Sequence, residues 1–241
     1  MAKIVAPNDI RQLGTIMSVW AHPDDESFTA AGIMATAINN GQKVICVTAT
    51  RGEAGVQDES RWPAERLGEI RAKELESALE QIGVQHHHWL DYYDGQCNCV
   101  RSEEAVSKIK RLINKYKPDT ILTFGPDGIT GHTDHQTVSE WVNDAAIGTD
   151  ITVYHSVEEE QRYYDYMVEA HRKFNIYFNI DKPPVFDAKD CDIAFRLPKD
   201  IVAKKYSALK CMPSQTETMI KNTPPETMEA MLCIECFVKA R

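Results

Sequence analysis

The chain has 241 residues, 43% of them hydrophobic and 26% charged, with 36 acidic against 27 basic side chains and a formal net charge of −9. That length and balance fit one α/β domain covering 1–241 better than two full domains, and the acidic excess argues against a nucleic-acid partner. The opening MAKIVAPNDIRQLG lacks an apolar export core, no segment reaches the ~18 apolar residues of a membrane span, and the seven cysteines are scattered, so a cytoplasmic protein with reduced thiols and no membrane partner is expected.

Thr15–Trp20 reads as a first strand, and a helix from about Glu26 to Asn39 follows, ended by Asn40-Gly41. Lys43–Thr48 is a second strand. Pro63 sits where a first-turn proline belongs, and Leu67, Ile70, Leu75, Ala78, Leu79 and Ile82 then recur at helical spacing up to Gly83. Val84–Leu90 is a third strand and Ser102–Tyr116 an amphipathic helix. Thr120–Phe124 is a fourth strand, with a helix opening at Asp134. Strands alternating with helices predict βαβ units on a parallel sheet, a Rossmann-like α/β fold. Beyond Asp150 the pattern weakens: Ile176–Ile180 and Cys233–Val238 are candidate strands and Pro198–Cys211 a candidate helix.

Two loops carry chemistry. His22-Pro23-Asp24-Asp25-Glu26 follows the first strand, and Gly131-His132-Thr133-Asp134-His135 follows the fourth. Open α/β sheets bind ligands beyond the carboxyl ends of their strands, and in the 3-2-1-4-5-6 order strands one and four are neighbours, so the two loops would face each other. Catalytic zinc takes three ligands from His and carboxylates and keeps one open position. His22, Asp25 and His135 would supply two nitrogens and an oxygen, while Asp24 takes a proton from the attacking water. His132 would stabilise the oxyanion as an imidazolium, or protonate the leaving amine. No G-x-G-x-x-G follows the first strand, so a nucleotide site is disfavoured.

In AHPDDE (21–26), TRGEAG (50–55), KPDTILTFGPDGITGHTDH (117–135) and, more loosely, LDYYDG (90–95), the sequence resembles the LmbE-like, or PIG-L, family of N-acetylglucosaminyl deacetylases. The likeness covers about 15–147 and implies a Rossmann-like fold, a Zn²⁺ site with Fe²⁺ as an alternative, and an N-acetylated sugar or sugar conjugate as substrate. By position it implies His22, Asp25 and His135 as metal ligands, Asp24 as general base and His132 as electrophile with Asp134 behind it. It also implies Arg51 and Asp94 as substrate-binding residues, and self-association as a homo-oligomer. Thr133 stands where the family often has proline, which alters loop stiffness and not the ligand set.

Other features read as structural: His86-His87-His88 as strand residues, Cys97, Cys99 and Cys233-x-x-Cys236 as plain thiols. Trp62, Tyr92 and Tyr93 are candidates to stack on a sugar, and Pro213-Ser214-Gln215 resembles a short family element without an assigned role. The alternatives to an N-acetylglucosamine deacetylase are a metal-dependent deacylase of a non-sugar amide or ester, and a non-catalytic metal- or sugar-binding protein.

Overall fold

Strand β1 (Ile16–Trp20) is buried along its whole length, as is β2 (Val44–Thr50), because helices cover both faces of a central parallel strand. The computed structural model describes residues 3–177 and 179–240. β1 pairs in parallel with β2 on one side and β4 (Thr120–Phe124) on the other, Ile16 lying opposite both Val44 and Thr120. β3 (His86–Tyr92) extends the sheet beyond β2, and β5 (Thr152–Glu159) extends it beyond β4. The last places go to two antiparallel strands, β8 (Ile234–Lys239) and β7 (Ile193–Arg196), giving the order β3-β2-β1-β4-β5-β8-β7, with β6 (Val185–Phe186) paired off the end of β5. The expected Rossmann-like order is present, extended by an antiparallel edge.

The chain runs one way from β1 to β3 and the other way from β3 to β5, and right-handed crossovers then put the connecting helices on opposite faces. On one face lie α1 (Asp25–Thr29), α2 (Ala31–Asn39) and α3 (Ala64–Ile82); on the other lie α4 (Ser102–Tyr116) and α5 (Thr133–Ala146). After β5 come α6 (Glu160–Arg162), a π-helical turn at Tyr163–Met167 and α7 (Val168–Phe174). Then α8 (Lys199–Lys210), α9 (Pro213–Lys221) and α10 (Pro225–Leu232) pack onto the face of α1, α2 and α3.

Three expectations change. The helix expected over 26–39 is two, broken at Ala30, whose φ of −134° and ψ of 3° leave the α region. The free N–H groups at the start of α2 are satisfied from far away: Glu235 on β8 accepts from Gly32 and Ile33, both at 2.8 Å, and pairs with Lys205 at 2.6 Å. The strand expected at Ile176–Ile180 does not form; Ile176, Tyr177, Asn179 and Ile180 are irregular, Phe178 lies outside the described residues, and the Tyr177 hydroxyl instead donates to Glu158 at 2.7 Å. Finally, β5 and β7 were not anticipated. Among the described residues no helix is long and apolar enough to cross a membrane.

Candidate metal centre

His22 lies two residues past β1, and its backbone N–H donates to the Asp25 carboxylate at 2.8 Å, closing the turn that starts α1. From β4 the chain loops through Gly128, whose φ of +72° and position 2.9 Å (at an added Cβ) from the His135 Cβ leave no room for a side chain. His132 then caps α5, its Nδ1 accepting from the Asp134 N–H at 3.0 Å, and His135 projects from the first turn. The β1–β4 pairing brings the two loops together.

His22 Nδ1 stands 3.1 Å from His135 Nε2, His135 Nε2 stands 3.3 Å from Asp25 Oδ1, and His22 Nδ1 stands 3.6 Å from Asp25 Oδ2. Ligand atoms ~2.0–2.1 Å from a tetrahedral ion are about 3.3 Å apart, so these spacings fit one cation. The opposite ring nitrogens are already engaged. His135 Nδ1 donates to the Gly128 carbonyl at 2.9 Å, and His22 Nε2 faces Asp94 at 2.9 Å and Asp134 at 3.2 Å. With protons on those outer nitrogens, the two inner nitrogens beside a carboxylate could serve a cation that takes the place of the inner proton of His22. His132 also offers a nitrogen within 4.8 Å of those of His22 and His135.

Burial opposes charge on His22, but Asp134, Asp25 and Asp94 outweigh it and hold its pKa well above the ordinary imidazole value. Burial drives His135 down to about 4. Asp25 is buried too, yet His135 and His22 hold its carboxyl far below the usual range. Asp24 has φ 104°, a strained conformation, and lines the cavity; burial raises its pKa to about 7 while Arg71, 3.4 Å away, opposes the rise. His132 is pushed below its ordinary value by burial and by His22, which favours a neutral ring with the proton on Nε2 over the imidazolium expected from sequence.

These groups line a cavity of ≈ 400 Å³ together with Asp94 and Arg71. Asp134 is buried behind His22 and accepts from the N–H groups of Gly95 and Cys97, so its carboxylate orients His22, not the His132 ring. Asp94 serves the same nitrogen while also accepting from the Ala54 N–H at 3.0 Å. Arg51 turns away from the cavity, pairing with Asp91 at 2.7 Å and lying 4.8 Å over the Trp89 ring. Arg71, which sequence reading missed, is 4% exposed and donates to the carbonyls of Gly52 and Pro23. Its signal was available: it interrupts the apolar stripe of Leu67, Leu75 and Ala78 on α3.

Gln215 also lines the cavity and donates to the Gly55 carbonyl at 3.0 Å; its neighbour Ser214 is held by Glu74. Tyr92 packs on Trp141, Trp62 lies under Arg61 and Tyr93 is 70% exposed, none of them on the cavity wall. His87 bonds Thr48 and His88 bonds Tyr116, and all seven cysteines are free.

The fold is thus a doubly wound α/β sheet that carries, at the β1/β4 switch, a cluster of histidines and aspartates that could hold a metal ion. Residues 17–146, more than half of the chain, match the family model PIG-L, GlcNAc-PI de-N-acetylase, and the chain belongs to that family. It is 34% identical over 153 residues to a 1D-myo-inositol 2-acetamido-2-deoxy-alpha-D-glucopyranoside deacetylase of Corynebacterium glutamicum, the match covering 54% of this chain and 52% of that protein. The match thus spans between about a third and a half of the length of curated relatives of this kind. Its fold is that of N,N'-diacetylchitobiose deacetylase from Pyrococcus horikoshii (TM-score 0.65, 17% identity, 96% of this chain and 85% of that one). It is likewise that of a zinc-inhibited form of teicoplanin deacetylase (TM-score 0.66, 14% identity, 94% and 98%).

Proposed function

We propose that the 241 residues act as one catalytic unit, a divalent-metal amide hydrolase that removes the N-acyl group, acetyl being the parent case, from a glucosamine-type substrate. The observation that carries this reading is the convergence of His22 Nδ1, His135 Nε2 and the Asp25 carboxylate within 3.1–3.6 Å. Zn²⁺ suits two imidazoles and a carboxylate, and Fe²⁺ is the second choice for such mixed N/O donors. A divalent ion held there supplies Lewis-acid polarisation of the amide carbonyl and acidifies water.

Asp24, beside the ligands yet not needed as one, takes the proton of the attacking water and returns it to the leaving nitrogen. His132 presents Nε2–H to the oxygen of the tetrahedral centre, a type of contact worth about 3–4 kcal/mol where measured. Arg71 ties the Pro23 and Gly52 loops together and lines the cavity beside Asp24. The water oxygen ends on the acyl carbon, the C–N bond breaks, and a carboxylate and a free amine leave. The named deacetylases among the relatives support this substrate class, and free thiols support a reducing, cytoplasmic setting.

The test is metal analysis of purified protein coupled to an assay of acetate and amine release from N-acetylglucosamine, its disaccharide and glucosaminyl conjugates. About one zinc or iron per chain with amine release is expected, and His135→Ala loses both. Protein that holds zinc but turns over nothing on the panel would instead favour a binding protein on this scaffold.

A further inference from the structure

The cavity is larger and more apolar than an acetyl group needs. A dry pocket of roughly 150 Å³ accepts a benzene-sized ring, so ≈ 400 Å³ holds a sugar ring and a second group of similar size. Of the polar lining, Asp24, Asp94, His132 and Gln215 are part-exposed, as are Phe28, Ile129 and Met219 of the apolar lining. The apolar lining starts at the ligands themselves: Phe124 stacks on the His135 ring at 4.0 Å, and Phe28 lies one turn after Asp25 on α1. It continues into Met167, Met219, Met228 and Met231, half of the chain's eight methionines, of which Met228 is fully buried.

Methionine thioethers make a soft wall that moulds to chains of differing shape. Met167 is placed there by the π-helical turn at Tyr163–Met167, a rare conformation that tends to be kept for functional surfaces. Charged groups on this wall are taken up within the protein. Arg162 pairs with Glu158 and donates to the Met231 carbonyl at 2.7 Å, the Tyr177 hydroxyl donates to Glu158, and Glu159 caps α6.

We infer that this methionine-walled lobe is an acyl-chain subsite, and that the substrate is an N-acylated glucosamine whose acyl group is several methylenes longer than acetyl. The inference rests on the hydrolase reading above for which amide is cut. The acyl chain leaves the carbonyl carbon one bond from the reacting centre, where the apolar lining begins. An aglycone leaves the sugar several bonds away, on the polar side of Asp94, Arg71 and Gln215.

The experiment uses the full chain and a series of N-acetyl-, N-butanoyl-, N-hexanoyl- and N-octanoylglucosamine. Binding is measured by calorimetry on the zinc-loaded Asp24→Asn chain and on metal-free wild type, and amine release on zinc-loaded wild type. Each buried methylene tightens binding roughly fourfold, so hexanoyl, with four more methylenes, is expected to bind up to about 250-fold more tightly than acetyl, with kcat/KM rising in step. Met228→Trp, or Met231→Phe where the first variant does not fold, brings the hexanoyl-to-acetyl ratio back toward one. Acetyl binding as tightly as hexanoyl, or no binding by any member, overturns the inference. Affinity that climbs with chain length while no member is hydrolysed sustains the subsite and sinks the hydrolase reading.

Discussion

In the proposed centre His22 keeps one ring nitrogen for the cation and turns the other to Asp94 and Asp134, so the carboxylates behind it would set both its tautomer and its basicity. Asp134→Asn keeps the shape and removes the charge, and partners of this kind change metal affinity about 10–100-fold. That loss is expected in competition against a chromophoric chelator; an unchanged affinity would mean Asp134 only shapes the loop through Gly95 and Cys97. Asp24 stands in the opposite position. As a proton acceptor that need not touch the metal, its replacement by Asn is expected to lower turnover by about 10²–10⁴ while zinc stoichiometry stays the same. Loss of metal along with turnover in Asp24→Asn would make it a ligand and remove it from the base role.

α3 delivers one group to the site, and it does so through a glycine on another element. An added Cβ on Gly52, whose φ is +66°, would fall 2.2 Å from the Arg71 guanidinium, so the loop after β2 and the arginine are built as a pair. Gly52→Ala and Arg71→Lys are each expected to cut kcat/KM at least ~10-fold, and because they break one clamp the double variant should be little worse than either single. Fully additive losses would show that the two act separately. The meeting of the two candidate loops was legible in sequence because short polar stretches directly follow strands one and four, and strand order makes them neighbours. Arg71 showed only as a charged break in the apolar stripe of α3, and Arg51, more conspicuous in TRGEAG, is committed to Asp91 and Trp89. The parallel half was readable from apolar runs such as TILTF. β5 (TVYHSVEE) ends in two buried glutamates whose partners lie elsewhere, and β7 is only four residues long, so neither announces itself. The break at Ala30 depends on Glu235, about two hundred residues away, which no local pattern encodes.

Across the whole molecule, proton and metal binding are linked to folding. His87 is largely buried against Thr48 and Trp89, and burial lowers its pKa to about 4, so between about pH 6.5 and 4 the unfolded chain binds a proton that the folded chain refuses. Stability from this group is complete above 6.5 and falls as pH drops through that window, with a ceiling of about 3 kcal/mol at about 1.4 kcal/mol per pH unit. His87→Gln should flatten this part of a plot of Tm against pH, and an identical acid limb would remove His87 from it. The metal acts in the other direction. Asp25, His22 and His135 come from loops more than a hundred residues apart, so the unfolded chain offers no such site, and a cation that binds only the folded form stabilises it by mass action. At a free Zn²⁺ concentration one hundred times its Kd the gain is about 2.7 kcal/mol, which in a chain of this length raises Tm by roughly 5–10 °C. Chelator-treated protein should melt lower by that amount and recover on zinc addition, whereas His135→Ala should melt at one temperature with or without zinc. A wild-type Tm indifferent to saturating zinc and iron would mean that the two loops do not share an ion, because a site assembled only by folding cannot bind tightly without stabilising the fold.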